Sequence, residues 1–456
     1  MKSWKTLCFV CLLSMVTGVT SPAQKFTTLI NFDGANGQNP FYVSLIQGRD
    51  GNLYGTTQFG GANGDGTVFL MTPNGSLTTI HSFAAPDGIY PYAGLVLGAD
   101  GNFYGTTSAG GVFGDGTVFK ITPGGTLTVL YSFGSASGSE APLVLGTDGN
   151  FYGTTFGGGP KLGGTVFKIT PSGVLTTLHA FDGVHRVDGS RPIGGVIQAT
   201  DGNFYGTTFL GGPDDQGTVF KVAPSGAFVS LHSFAFTDGQ NPNAGLMQGS
   251  DGDFYGTTEF GGSDGFGVVY KITSSGTFTT LHSFTVNDGA FPFGPLIQAT
   301  DGNFYGTTSE GNGSYGTLFE ITPEGTLTTL HSFGNFDGSS PLSALTQHTT
   351  GAFYGVTESG GASNSTDGTV YLLRTGLGPF VESVPISGKV GETVGILGTG
   401  LLGATSVTFN GVTASFTVER NSFISAVVPV GATTGPVQVT TASAAVLSSN
   451  VNFQVR

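Results

Sequence analysis

The sequence predicts an all-β protein, a seven-bladed β-propeller followed by an immunoglobulin-like β-sandwich, on three observations. The tetrapeptide Tyr-Gly-Thr-Thr starts at Tyr54, Tyr104, Tyr152, Tyr205, Tyr255 and Tyr305 and recurs as Tyr-Gly-Val-Thr at Tyr354. Six steps separate first from last, so the spacing is about 50 residues, which suits one four-stranded blade per copy. The composition is that of strands and tight turns: 79 glycines and 12% aromatic residues, with only 10% charged. At Gly378-Pro379 the repeat stops and a different pattern of short strands begins.

Residues 1–23 read as an export signal rather than as fold. Lys2 and Lys5 precede an apolar run from Leu7 to Val16, and Ser21-Pro22-Ala23 offers small residues for cleavage before Gln24. The run is too short for a comfortable membrane span. Its removal takes Cys8 and Cys11, the only cysteines, and Trp4, the only tryptophan. No disulfide or thiolate chemistry is then expected. The chain carries 15 basic against 29 acidic residues, a net charge of −14, and losing Lys2 and Lys5 makes it more acidic. That balance argues against nucleic acid and anionic membranes as partners.

The propeller is expected over residues 24–376, each blade built from four strands. In the second copy Leu95–Leu97 is the first. Asp100-Gly101-Asn102 turns the chain into Phe103–Thr107. A Gly-rich loop from Gly110 to Gly116 leads to Thr117–Thr122, and Pro123-Gly124-Gly125 turns it into Leu127–Phe133. Glycine inside Tyr-Gly-Thr-Thr implies close approach of a neighbour, since mid-strand glycine is otherwise costly. Alternation places Leu327, Thr329, His331 and Phe333 on one face of the fourth strand. Second and third strands occur seven times, but the fourth follows its own third strand only six times. The missing copy is Phe26–Phe32, so the N-terminal strand is expected to complete the last blade and close the ring. Residues 379–456, with strands near Ser406–Gly411 and Val428–Val439 separated by glycine turns, read as a small β-sandwich.

Asp-Gly-Asn-Phe-Tyr-Gly-Thr-Thr, Gly-Thr-Val-Phe-Lys-Ile-Thr-Pro and Leu-Thr-Thr-Leu-His-Ser-Phe recur in order across about residues 26–375. The chain there resembles the GloVer tandem repeat of exported bacterial proteins. That family carries no assigned activity, so the resemblance implies export alone. Gly398-Thr399-Gly400, Ser406–Gly411 and Val428–Val439 resemble an IPT/TIG domain, which implies a spacer or accessory binding module.

A residue repeated in every blade points to packing, because catalysis needs it once. His81, His179, His232, His282 and His331 occupy one strand position, with Tyr131 and Ile30 in the other copies, and are assigned to packing or hydrogen bonding. Asp87, Asp188, Asp238, Asp288 and Asp337 open an Asp-Gly turn, with Asn36 and Ser137 in the remaining copies. Asp65, Asp115, Asp215, Asp264 and Asp367 lie in Gly-rich loops. Turn capping is their first reading, and calcium ligation is the alternative. No cofactor is otherwise expected. Glu259, Glu310 and Glu358 break the repeat just after the second strand and are the carboxylates available for acid–base work. Phe59, Phe113, Phe156, Phe209, Phe260 and Tyr315 sit in the same variable loops and could stack on sugars.

These readings favour a secreted, monomeric, non-enzymatic binding or scaffold protein engaging extracellular glycan or protein on a propeller face. One alternative is an extracellular enzyme acting from the propeller face, either on polysaccharide or in the manner of the streptogramin lyases, whose propellers also repeat an Asp-Gly-Asn turn. Their His/Glu metal site has no recognisable counterpart among these histidines. The other alternative is a calcium-stabilised protein of the cell surface.

Overall fold

Nine four-stranded antiparallel sheets make up most of the protein, whose computed structural model describes residues 24–134, 138–311, 313, 315–362 and 366–456. The described residues contain strands, turns and no helix, and hence no helix long and apolar enough to cross a membrane. The predicted signal segment, residues 1–23, lies outside them. Sheet one is Ile46–Gln47, Leu53–Thr57, Thr67–Met71 and Leu77–Ser82, in chain order. Five further sheets repeat this order over 96–132, 144–182, 196–233, 247–283 and 297–332. The seventh breaks it. Thr346–Gln347, Phe353–Thr357 and Thr369–Arg374 are followed not by their own fourth strand but by Lys25–Asn31 from the other end of the chain. The register runs from Lys25 opposite Arg374 to Asn31 opposite Thr369.

The turn aspartate gathers several donors. In Asp100-Gly101-Asn102 the carboxylate accepts from the Asn102 N–H (3.1 Å), from the Tyr104 hydroxyl (3.0 Å) and from Lys120 on the third strand (2.9 Å). The tyrosine so held is buried, and its ring lies against the phenylalanine of the next sheet. Centroids are 4.1 Å apart for Tyr54 and Phe103, 4.0 Å for Tyr104 and Phe151, and 3.9 Å for Tyr152 and Phe204. Sheet seven has Thr350 where the others have aspartate, and there the Tyr354 hydroxyl donates to the Pro73 carbonyl of sheet one (2.9 Å). Tyr354 and Val356 share an apolar cluster with Leu53 and Phe69 of sheet one.

Glycine in the second strand makes room for a ring. A Cβ on Gly105 would stand 2.6 Å from Phe119 Cζ and 3.0 Å from Leu95 Cδ2. The first threonine of the motif donates across to the next connection, as Thr56 does to the Ala93 carbonyl (3.0 Å), and the second meets Thr67 on its own sheet (2.8 Å).

The predicted alternation of the fourth strand is interrupted. A β-bulge between Leu318 and Phe319 pairs them with His331 and Thr329, skipping Leu330. Leu330 and Phe333 therefore pack with sheet seven while Leu327 packs with sheet five. His331 stacks on Phe26 of the N-terminal strand at 3.6 Å.

The repeated histidines and the Asp-Gly aspartates turn out to be partners: His81–Asp87 (2.9 Å), His179–Asp188 (2.9 Å), His232–Asp238 (3.2 Å), His282–Asp288 (3.1 Å) and His331–Asp337 (3.0 Å). Burial pushes the His331 imidazole below its ordinary range and Asp337 pulls it back up. The two copies without histidine also lack the aspartate, having Ile30 with Asn36 and Tyr131 with Ser137, the last outside the described residues.

The C-terminal segment forms two four-stranded sheets around one core, with a short parallel pair, Ser387–Gly388 and Gln454–Val455, beside them. The order is Glu382–Val384, Thr393–Leu397, Phe423–Val427 and Phe416–Arg420 in one, and Val412–Thr413, Ser406–Phe409, Val437–Thr440 and Val446–Ser448 in the other. Ile396 and Ile424 of the first meet Phe409 and Val439 of the second. This unit sits on the Asp-Gly turns of the repeat. Ser422 donates to the Arg49 carbonyl (2.8 Å), and the Arg49 guanidinium lies 4.6 Å over Phe423, which shares a core with Tyr54 and Phe103.

Candidate functional site

The opposite ends of the strands carry a cluster of three carboxylates around one tyrosine. Two backbone devices position it. The residue before the proline that recurs in the connections has positive φ in six copies: Asn39 (49°), Tyr90 (57°), Arg191 (56°), Asn241 (53°), Phe291 (57°) and Ser340 (54°). That conformation is costly for a non-glycine residue preceding proline. Hydrogen bonds on both sides hold it. Tyr90 N–H donates to the Asp65 carbonyl of the previous sheet (3.0 Å) and its carbonyl accepts from Ser108 N–H (3.1 Å). By the same pattern Glu259 N–H donates to Asn241 (3.1 Å) and Glu358 N–H to Ser340 (3.0 Å). The residue after the second strand is thereby pinned to the residue that precedes the proline, and for Glu259 this leaves the side chain within reach of Asn243, which follows Pro242.

Tyr42 lies at the centre. Its ring stacks on Phe293 of the sixth connection (5.4 Å) and meets Phe41 edge-on (4.5 Å), which in turn meets Tyr92 (5.3 Å). Burial, then the nearby charges of Glu259, Glu140 and Glu358, hold the Tyr42 hydroxyl well above the ordinary phenol range. Burial pushes the Glu259 carboxyl up to about 7, against the hydrogen bond from Asn243 Nδ2 (2.6 Å), which favours its ionised form. Burial likewise raises Glu358 and Glu140, the latter offset by Arg191. Arg191 itself lies over Phe156 at 5.1 Å. The cluster thus presents a carboxyl able to donate or accept near neutral pH, two phenols, an amide and aromatic faces.

The predicted site residues separate into those at this cluster and those elsewhere. Glu259 and Glu358 belong to it and Phe156 flanks it. Phe209 holds the same post-strand position, partly buried. Glu310 does not share that position: Ser309 does, and Glu310 stands one residue further on, exposed, its backbone bridged to Ala290. Phe59 and Phe260 pack edge-on against the strained-backbone residues Tyr90 (5.1 Å) and Phe291 (5.2 Å). Phe113 and Tyr315 are exposed on outlying loops. Glu140, Tyr42, Tyr92 and Asn243 were not anticipated. The signal for Glu140 was available in the third connection, Ser137-Gly138-Ser139-Glu140-Ala141, the copy that departs furthest from Asp-Gly-x-x-Pro.

The five loop aspartates fall in separate loops. Asp215 pairs with Arg186 (2.8 Å) and accepts from Gly211 N–H (2.9 Å), Asp264 accepts from the Ser263 hydroxyl (2.9 Å), and the Asp367 carbonyl accepts from Asn39 N–H (2.9 Å). Asp115 forms a backbone bridge with Gly110, as Asp65 does with Gly60. Among the described residues no three His, Cys, Asp or Glu side chains gather as metal ligands would.

Four-stranded antiparallel sheets packed in succession, with variable residues at one end of the strands, define a protein resembling the β-propellers. The chain belongs to the Gloeobacter/Verrucomicrobia repeat family, whose profile matches residues 14–187 and 139–371. Among solved structures it is similar to virginiamycin B lyase from Staphylococcus aureus, with 14% identity over 77% of this chain and 98% of that one and a TM-score of 0.53. A fungal alcohol oxidase of the AA5 family, in complex with copper, covers 92% of this chain and 98% of its own at 13% identity and a TM-score of 0.52. Identities this low establish the fold alone. No functionally curated protein matches.

Glu259 sets a pH dependence. Its folded pKa of about 7 lies above the ordinary 4.5, so its contribution to stability is present below about 4.5 and is lost as pH rises through about 7. Unfolding of Glu259→Gln by denaturant, compared with the parent chain at pH 4.5 and pH 8, should show the parent losing about 1 kcal/mol more over that interval, allowing for solvent screening of a partly exposed group. Parallel profiles would refute the burial of this carboxyl.

Proposed function

We propose that the protein is an exported, monomeric binding module that engages an extracellular glycan at the Tyr42–Glu140–Glu259–Glu358 cluster. In this reading residues 1–23 are a cleaved signal and residues 24–376 a closed seven-bladed propeller. Residues 379–456 are an IPT/TIG immunoglobulin-like domain that spaces it from other partners. Seven sheets of one design support the blade count, and the N-terminal strand in the seventh sheet, packed against sheet one, supports closure.

The observation that carries the functional reading is Tyr42 stacked on Phe293 within reach of three carboxyls and the Asn243 amide. Aromatic faces take the C–H surface of a sugar ring, while carboxylates and amides take its hydroxyls. The acidity of the cluster favours neutral or amino sugars over anionic ones. A glycan array with the mature protein should show selective binding, and Tyr42→Ala and Asn243→Ala should each weaken it at least tenfold in titrations, about 1.4 kcal/mol. Binding to no glycan, or binding untouched by both changes, would overturn the proposal.

A second reading is favoured by the Glu259 carboxyl alone, since a group titrating at about 7 is suited to general-acid chemistry. Turnover of a polysaccharide that Glu259→Gln abolishes, with binding retained, would replace the binding module by a lyase or hydrolase.

A further inference from the structure

The C-terminal unit lies over a space bordered by the short first strands of sheets one, two, three, six and seven, leaving a partly open cavity of about 420 Å³ between them. Its walls are mainly aliphatic. Val96, Val144 and Ile297 come from the repeat, and Phe380, Val384 and Ile386 from the C-terminal unit. A volume of this size lies within the range of small-ligand sites.

Polar groups on the walls are almost all committed. The Gln47 amide accepts from Thr349 N–H (2.9 Å) and donates to the Thr349 hydroxyl (3.0 Å). Gln298 bridges Ser250 N–H (2.8 Å) and the Gly302 carbonyl (2.9 Å), and Gln347 bridges the N–H and hydroxyl of Thr300 (3.2 and 3.1 Å). Glu382 is different. It is the one ionisable side chain among the lining residues, its backbone is fixed opposite Leu397, and its carboxyl has no hydrogen-bond or ion-pair partner among the described residues. Burial alone pushes that carboxyl above its ordinary range. Glu382 is half-buried, and a carboxylate left unpaired against largely apolar walls carries a desolvation cost that a cation placed against it removes.

We propose that this cavity is a second binding site, distinct from the carboxylate cluster at the other strand ends, for a small hydrophobic amine whose ammonium pairs with Glu382. The hydrocarbon body lies along Val96, Val144 and Ile297, and entry is beside Val451, which is 48% exposed at the rim. Neither the glycan reading nor the repeat itself calls for such a site: the carboxyl comes from the C-terminal unit and the apolar walls from the repeat.

The test is calorimetric titration of the full mature chain with cyclohexylmethylamine, cyclohexylmethanol and cyclohexanecarboxylate, three bodies of one shape differing in charge. The amine should bind tightest and the carboxylate weakest. Glu382→Gln should weaken the amine at least tenfold and leave the alcohol unchanged, and Val144→Trp, which fills the cavity, should remove both. Equal binding of amine and carboxylate, undiminished amine binding by the folded Glu382→Gln protein, or binding of none of the three would overturn the proposal. If Glu382→Gln fails to fold, the charge series and Val144→Trp decide it in the same way.

Discussion

Removing residues 24–33 should destabilise the protein more than any single substitution and leave it prone to self-association. These residues supply the strand Lys25–Asn31, which takes every outward hydrogen-bonding position of Thr369–Arg374, and Phe32, which is buried against Phe69. Phe26 adds contacts to His331, Phe333 and Tyr371. Losing one fully buried phenylalanine and several half-buried apolar side chains costs about 5 kcal/mol or more, comparable to the whole net stability of many domains. The uncovered strand is also an open template for pairing with another chain. Calorimetry should register a lowered or absent unfolding transition, and size-exclusion chromatography should show oligomers. A synthetic peptide of residues 24–33 added in excess should restore both. An unchanged midpoint with monomeric elution would mean that the seventh sheet stands without its N-terminal strand, and the ring proposal would fall with it.

Gly105→Ala is expected to cost about 3 kcal/mol, at the upper end for overpacking a full core. The added methyl would meet Phe119 Cζ at 2.6 Å and Leu95 Cδ2 at 3.0 Å, both wholly or largely buried with little room to retreat. The backbone here is ordinary strand, so the cost is steric rather than conformational. Phe119→Leu in the same chain should return part of the loss, giving a favourable coupling in the double-mutant cycle that denaturant unfolding measures. Additive losses would show that the glycine serves something other than the ring above it.

Much of the architecture was legible because it repeats. Counting strand types identified Phe26–Phe32 as the fourth strand missing after Tyr371, and the structure pairs Lys25–Asn31 with Thr369–Arg374. The pairing of histidine with aspartate was also written in the repeats, since Ile30 and Tyr131 coincide with Asn36 and Ser137, but it shows only when the two positions are compared copy by copy. The candidate site was half legible. Glu259 and Glu358 stand out as departures directly after the second strand, and Glu310 of sheet six is grouped with them when the loops are compared only loosely. A shift of one residue sends that side chain to another face of the strand, and Ser309 takes the place instead. Tyr42 and Glu140 lie on connections that depart from the common length, where repeat alignment loses its phase, whereas Tyr92 and Asn243 each directly follow the repeat proline, Pro91 and Pro242, at a position whose side chain changes from copy to copy.

The sequence by itself determined the periodic part of this protein: strands, turns, the number of copies and the residues each copy spends on packing. Those follow from local chemistry, as Asp-Gly turns and period-two alternation act over a few residues and recur. The tertiary structure alone decided what meets across sheets. It set Tyr42 on Phe293 from a connection some 250 residues away, gathered three carboxyls around that ring, and placed Glu382 over a space walled by five other sheets. Such encounters depend on how the sheets are arranged around one another, and charge, burial and pKa follow only from that arrangement.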